Sequence, residues 1–271
     1  MLIKKIKTIN NKLNKFVYFT KTVIMDHLLF LHNKVYDFNT ESIRDKQPSE
    51  ILELVWDVEY DPNATSETFD KFLDDFTLGR KDIKYCLQEF FGMSLMGDSS
   101  IIFKKFLNLY GDGSNGKTVV LNIMSTLMGT YSISRTSDLN NYDILNDKRL
   151  LVLFENDESV NSFNNFFIKQ LIGGDLIYSN PLRRNFKHSC RLVTVSNKKE
   201  FETDSNMKNR CIYVPCLMNA VSNPTEPHQR KMDIYLFNKL NTPQVLSAML
   251  NWLIEGALRF KRQGYVTEPT L

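Results

Sequence analysis

The chain has 271 residues, of which 42% are hydrophobic and 24% charged. This composition excludes a disordered or fibrous protein and allows one sizeable core with, at most, a small leading module. A formal net charge of only +3 excludes a polycation, so any nucleic-acid contact has to come from a local patch. No apolar run approaches the ~20 residues of a membrane span. The four cysteines (Cys86, Cys190, Cys211 and Cys216) lack the close pairs of a zinc knuckle and read as reduced thiols. Asn, Lys, Ile and Phe are abundant while Gly and Ala are scarce, the bias of an AT-rich coding genome such as a virus, plasmid or organelle.

Residues 1–26 form a basic stretch (Lys4, Lys5, Lys7, Lys12, Lys15, Lys21) without the apolar core of a secretory signal. An arm touching nucleic acid and a leader are both compatible with it. From His27 to Asp37, alternation of apolar and polar residues predicts a β-hairpin, HLLFL then VYDF, turning at Asn33-Lys34. Asp61-Pro62-Asn63 breaks the chain. Two helical stripes follow, Phe69, Phe72, Leu73 and Phe76, then Ile83, Leu87, Phe90 and Phe91. A boundary near Gly97-Asp98 divides a lead module, 27–97, from a second domain, 98–271.

Beyond the boundary strands alternate with helices. Phe106 to Tyr110, Leu150 to Phe154, Leu192 to Ser196 and Cys211 to Val214 read as strands. The continuous apolar runs among them mark strands buried on both faces. Lys117 to Met128 is an amphipathic helix. Phe163, Phe166, Phe167 and Leu171 lie on another, ended by Gly173-Gly174. Leu246, Met249, Leu250, Leu253 and Ala257 form the stripe of a last helix, with Gly264 just past its end. The alternation predicts a parallel sheet covered by helices.

Gly111-Asp112-Gly113-Ser114-Asn115-Gly116-Lys117-Thr118 fits the phosphate-loop pattern in full, between an apolar strand and an amphipathic helix. Glycines let backbone N–H groups turn inward around phosphate oxygens, and the helix N-terminus adds its dipole. Lys117 is positioned for the β- and γ-phosphates of ATP and Thr118 for Mg²⁺. The loop alone does not name a reaction, because kinases, GTPases and motors share it. The next buried strand runs into Glu155-Asn156-Asp157, at the strand end where carboxylates meet the phosphates. Glu155 is a candidate Mg²⁺ ligand or water-polarising group, and Asp157 a candidate to share that work. Asn197, ending the third strand, is a candidate γ-phosphate sensor. Arg210 is a candidate finger that stabilises transition-state charge on a neighbour's nucleotide.

The order of these elements resembles the superfamily 3 helicases, and within them the primase–helicases of large DNA viruses, phages and plasmids, poxviruses included. The carrying residues are GDGSNGKT at 111–118, KRLLVLFEND at 148–157, IKQLIGGD at 168–175, LVTVSN at 192–197 and NRCIYVP at 209–215. HNKVYDF at 32–38, YDPNA at 60–64, LQEFFGMSLMGD at 87–98 and the C-terminal NWLIEGALRFKRQG support them. The resemblance covers roughly residues 27 to 271, and IKQLIGGD is its discriminating feature.

It implies an AAA+-like ATPase with a central parallel sheet, acting as a homo-oligomeric ring, usually a hexamer, around single-stranded DNA. ATP and Mg²⁺ would lie between subunits, served by Lys117, Thr118, Glu155, Asp157, Asn197 and Arg210. The segment between Asp175 and Ser189 would form a hairpin gripping phosphates through Arg183, Arg184, Lys187 and His188, with Lys169 of the preceding motif as a further candidate. The chain departs from the family at Lys34 (usually Gly), Asn180 (usually Arg), Glu200 (near a usual Pro) and Phe69 (usually Trp). No primase-like stretch precedes the lead module and no winged-helix module follows the last helix. The expectation is therefore a motor without primer synthesis, served by a separate primase or loader. Two rivals remain: a phosphate-loop kinase or GTPase, and a non-catalytic ATP-binding assembly factor derived from a longer primase–helicase.

Overall fold

A three-stranded antiparallel meander opens the fold: β1 (Leu28–Phe30), β2 (Lys34–Asp37) and β3 (Ser42–Asp45). The computed structural model describes residues 27–50, 56, 58–97, 101, 103–129, 132–134, 145, 148–154, 165–179, 183–197 and 208–270. Phe30 pairs with Val35, and the Leu31 N–H donates to the Lys34 carbonyl at 2.9 Å. The turn is thus centred on His32-Asn33, one residue earlier than the alternation implied. Lys34 belongs to β2 and pairs with Asp45 at 2.6 Å, so its position does not call for glycine. Strand β3 was not expected. Its Arg44 forks onto Glu50 at 2.6 and 2.8 Å, and that hydrogen bonding holds the Glu50 carboxyl down at about 2.

Helices α1 (Glu67–Thr77) and α2 (Lys81–Met93) follow. Ser66 caps α1 by accepting from the Phe69 N–H at 3.2 Å, and acids in the first turn complement the dipole. Its predicted stripe, Phe69, Phe72, Leu73 and Phe76, is buried. Helix α2 crosses the long C-terminal helix (Pro243–Gln263) at two glycines. A Cβ on Gly92 would lie 2.4 Å from the Leu253 carbonyl, and one on Gly256 would lie 2.0 Å from the Gln88 carbonyl. Bare backbone is what lets these helices approach so closely. The fully buried Glu89 of α2 accepts from the Thr267 N–H at 2.6 Å, tying down the chain after that helix.

The centre is a five-stranded parallel sheet. In chain order its strands are β4 (Phe106–Tyr110), β5 (Ser132–Ser134), β6 (Leu150–Phe154), β9 (Arg191–Ser196) and β10 (Cys211–Pro215). Across the sheet they lie β10-β4-β9-β6-β5. Helix α3 (Lys117–Met128) follows β4, and α4 (Asn165–Gly173) follows β6. An antiparallel ribbon of β7 (Ile177–Ser179) and β8 (Arg184–Phe186) leads into β9. A parallel ribbon of β11 (Asn219–Val221) and β12 (Gln229–Lys231) precedes α5 (Leu236–Leu240) and α6, the long Pro243–Gln263 helix. The alternation therefore reads through to a mixed α/β architecture with a parallel sheet. One apolar cluster runs from Leu29 of the meander through α1, α2, α3 and α6 to Val266, and a second lies under β6, α4 and the β7–β8 ribbon.

Candidate nucleotide and nucleic-acid sites

The loop 111–118 leaves the C-terminal end of β4 between its neighbours β9 and β10. The Gly111 N–H donates to the Ser196 carbonyl at 3.3 Å, and the Cys216 N–H to the Tyr110 carbonyl at 2.8 Å. Below it the buried Asn108 donates to the Ser196 hydroxyl at 3.1 Å and accepts from the Thr194 hydroxyl at 3.1 Å, stitching β4 to β9. The backbone runs through positive φ at Gly111 (148), Ser114 (61) and Gly116 (80). A Cβ on Gly111 would meet the Cys216 carbonyl at 2.6 Å, so glycine is required there for both conformation and space.

Lys117 is 7% exposed. Its ammonium donates to the Gly111 carbonyl, to the Asp112 carbonyl at 3.2 Å and to Asn115 Oδ1 at 2.9 Å. Asn115, an unrestricted position of the motif, is a buried strut, and its Nδ2 donates to the Cys216 carbonyl at 3.1 Å. Thr118 is exposed in the first turn of α3.

A cavity of about 750 Å³ opens over the loop, within the range of small-ligand sites. One wall is the face of α1 bearing Thr68, Lys71, Phe72 and Asp75, and another runs from Arg230 to Lys239. The β11–β12 ribbon clamps the loop, the Ala220 N–H donating to the Ser114 carbonyl at 2.8 Å. Asp75 joins the walls, accepting from Lys71 at 2.8 Å and from Arg230 Nε at 2.6 Å. Burial lifts the Asp75 carboxyl, but these two partners outweigh it and leave it below its ordinary value. Among the described residues, Lys71, Lys117, Arg230, Lys231 and Lys239 line the cavity with Asp75 and Asp233, a balance that favours an anionic ligand. Sequence reasoning did not find Lys71, Asp75, Arg230, Lys231 or Lys239. The only signal was the spacing of Thr68, Lys71 and Asp75 along one helical face.

The remaining candidates divide. Asn197, just past β9, lines the same cavity as Lys117. Glu155 and Asp157 lie outside the described residues, as do Asn180 and Glu200; the strand that leads to the two acids, β6, ends at Phe154, also on the cavity. Arg210 is half-buried at the opposite end of the sheet, where its carbonyl accepts from the Phe106 N–H at 2.9 Å. Five residues of strand, about 17 Å at ~3.3 Å each, separate that end from its own loop.

The segment after IKQLIGGD is a hairpin. Ile177 and Phe186 pair across it and face the second core, while Tyr178 and its partner Asn185 are exposed. Arg183 is exposed at the turn with φ 50, and Lys187 is exposed beyond β8. The side chain of Arg184 is not among those described. Lys169 is half-buried midway along α4. His188 is corrected from the expected phosphate-gripping set: it is 7% exposed, and its Nδ1 accepts from the Cys190 N–H at 3.2 Å. Burial, with Arg191 nearby, pushes its pKa down to about 4, so it presents no positive charge to a phosphate at neutral pH. It shares the inward alternation of Phe186, two residues earlier.

Residues 3–78 match the family described as D5 N terminal like. The match begins inside the Lys-rich stretch and ends at Leu78, the C-cap of α1. No curated protein matches the chain. Among solved structures, the A-form apo structure of the NrS-1 C-terminal region aligns with a TM-score of 0.51 and 11% identity, covering 84% of this chain and 67% of that one. A second apo structure of the NrS-1 C-terminal region gives 0.51 and 11%, over 85% and 68%. At such identity the likeness is one of fold. Among the described residues no helix is long and apolar enough to cross a membrane.

Proposed function

We propose that the chain is an AAA+-like motor of the primase–helicase kind, hydrolysing ATP to move along single-stranded DNA in the replication of a virus, plasmid or organellar element. The observation that carries this reading is the loop 111–118. It stands at the C-terminal end of β4, with Lys117 pinned inside it and Asn197 on the adjacent strand end, across one cation-lined cavity. The insertion of β9 beside β4 is what brings Asn197 there. The match of residues 3–78 to the D5 N terminal like family supports a primase–helicase relationship over the lead elements.

Among the described residues, Lys117, Thr118 and Asn197 on the cation-lined cavity support a Mg²⁺-bound triphosphate as its ligand. Lys117 exchanges the Gly111 and Asp112 carbonyls for β- and γ-phosphate oxygens. Thr118 and Glu155 would hold Mg²⁺, which would neutralise charge on the phosphates. Asn197 contacts the γ-phosphate, and Glu155 with Asp157 orients the attacking water. The apolar wall of Phe72, Met232 and Leu236 leaves room for the base. Arg210, too far from its own loop, serves the loop of an adjacent subunit. An exposed strip beside the cavity, Met232, Ile234 and Tyr235, supports contact between copies in a ring. Arg183, Arg184 and Lys187 grip DNA phosphates.

The test is phosphate release from ATP with Mg²⁺ by the wild type and by Lys117→Ala. Turnover lost in the variant is expected. Equal turnover in both removes the loop from the reaction, and ATP binding without turnover in the wild type favours an assembly factor.

A further inference from the structure

The outward face of the β7–β8 ribbon carries more than charge. Tyr178 is 56% exposed and Leu176, two residues before it, is 58% exposed. The opposite face buries Ile177 and Phe186 in the second core, so the ribbon is anchored from below and Tyr178 is presented on a fixed support. Across the ribbon Tyr178 pairs with the exposed Asn185, and continuing the register sets Leu176 against Lys187. Arg183 stands at the turn, and Asp175 is an exposed acid at the ribbon's base. An aromatic ring left open to water, with a cation toward either end of a two-stranded support anchored in the core, matches what unpaired bases and their phosphates require together.

We propose that Tyr178 is a stacking site for a base of single-stranded DNA, flanked by Leu176, while Arg183 and Lys187 neutralise the adjoining phosphates. Among the described residues neither core packing nor a hydrogen bond accounts for the tyrosine's position, whereas the alternation that buries Phe186 holds it outward. The inference rests on the reading that the chain holds single-stranded DNA and adds the group that contacts the bases. Stacking is indifferent to base identity, so binding through Tyr178 carries little sequence preference. It involves no counterion release, whereas the two cations do. That difference separates the contributions experimentally.

The experiment measures anisotropy of a fluorescein-labelled oligothymidine over a salt series, with wild type, Tyr178→Ala, Tyr178→Phe and the Arg183→Ala/Lys187→Ala pair. An oligonucleotide carrying 2-aminopurine reports stacking directly, through quenching. Tyr178→Ala is expected to weaken binding about tenfold with the salt slope unchanged, and to abolish the quenching. Tyr178→Phe keeps the ring and stays near wild type, and the double variant flattens the salt slope. A Tyr178→Ala variant that binds and quenches like wild type overturns the proposal. ATP turnover of the same wild-type preparation distinguishes the two failures. A wild type that hydrolyses ATP and binds the oligonucleotide, with Tyr178→Ala unchanged, removes the stacking site alone. A wild type that binds no oligonucleotide removes both the stacking site and the DNA motor.

Discussion

Replacing Asn115 by Ala removes a side chain that the motif leaves unrestricted but the fold buries. Two hydrogen bonds go with it: the 3.1 Å donation to the Cys216 carbonyl and the 2.9 Å acceptance from the Lys117 ammonium. The first leaves a carbonyl at the end of β10 without that donor, and the second takes one acceptor from a buried cation. Together these cost about 3 kcal/mol, which lowers the melting temperature by about 6–12 °C for a chain of this size. The loop also loses its tether to β10, so its amides are less fixed for phosphate. Affinity for ATP with Mg²⁺ is expected to fall about tenfold. Asp112→Ala is the control, an exposed neighbour whose loss is expected to stay within about 0.5 kcal/mol. Thermal unfolding and calorimetric titration of both variants test this. Asn115→Ala melting with wild type and binding ATP equally well would refute the strut.

Burial of His188 sets a pH dependence. The unfolded chain takes a proton near pH 6.5 while the folded chain refuses it until about pH 4, so this contribution is whole above pH 6.5 and lost as pH falls. Between pH 7 and 5 wild type is expected to lose about 2 kcal/mol relative to His188→Leu; parallel curves in pH-stepped denaturant titrations would count against a buried neutral imidazole. Gly256→Ala sets a Cβ against the Gln88 carbonyl and is expected to cost about 3 kcal/mol. Gly264→Ala, at φ 78 in open space, is expected to cost about 1 kcal/mol by conformation alone. Equal melting temperatures for the two would undo the close-approach argument. Arg210→Ala should hydrolyse ATP poorly alone yet regain turnover when mixed with Lys117→Ala, because one copy supplies the arginine and the other the loop. A mixture no better than its parts removes the finger.

What the sequence disclosed followed from period and chemistry. LLVLF at 150–154 is apolar without alternation because a parallel strand is buried on both faces; LVTVS at 192–196 is buried as fully although Thr194 and Ser196 are polar, their hydroxyls bonded to the buried Asn108, and both strands lie in the central sheet. GDGSNGKT announced its own loop because Gly111 and Gly116 are conformational requirements, at φ 148 and 80. The clamp over that loop was not legible. Strands of three residues carry no period, and Ala220 meets Ser114 across more than a hundred residues. Asp75 and Arg230 are 155 apart, and nothing local links them. Read as one basic cluster, RRNFKH places His188 among the phosphate-gripping groups. Alternation within it sends Phe186 and His188 inward while Asn185 and Lys187 face solvent, a pattern of two that was present to be read.

Strand displacement tests the central claim most directly: a forked duplex with one single-stranded tail, incubated with the chain, ATP and Mg²⁺, with Lys117→Ala alongside. The account predicts release of the displaced strand by wild type, dependent on ATP and on the tail, and none by the variant. Displacement that persists without ATP or in Lys117→Ala, or ATP turnover by wild type that no single-stranded tail stimulates and no displacement accompanies, would contradict it.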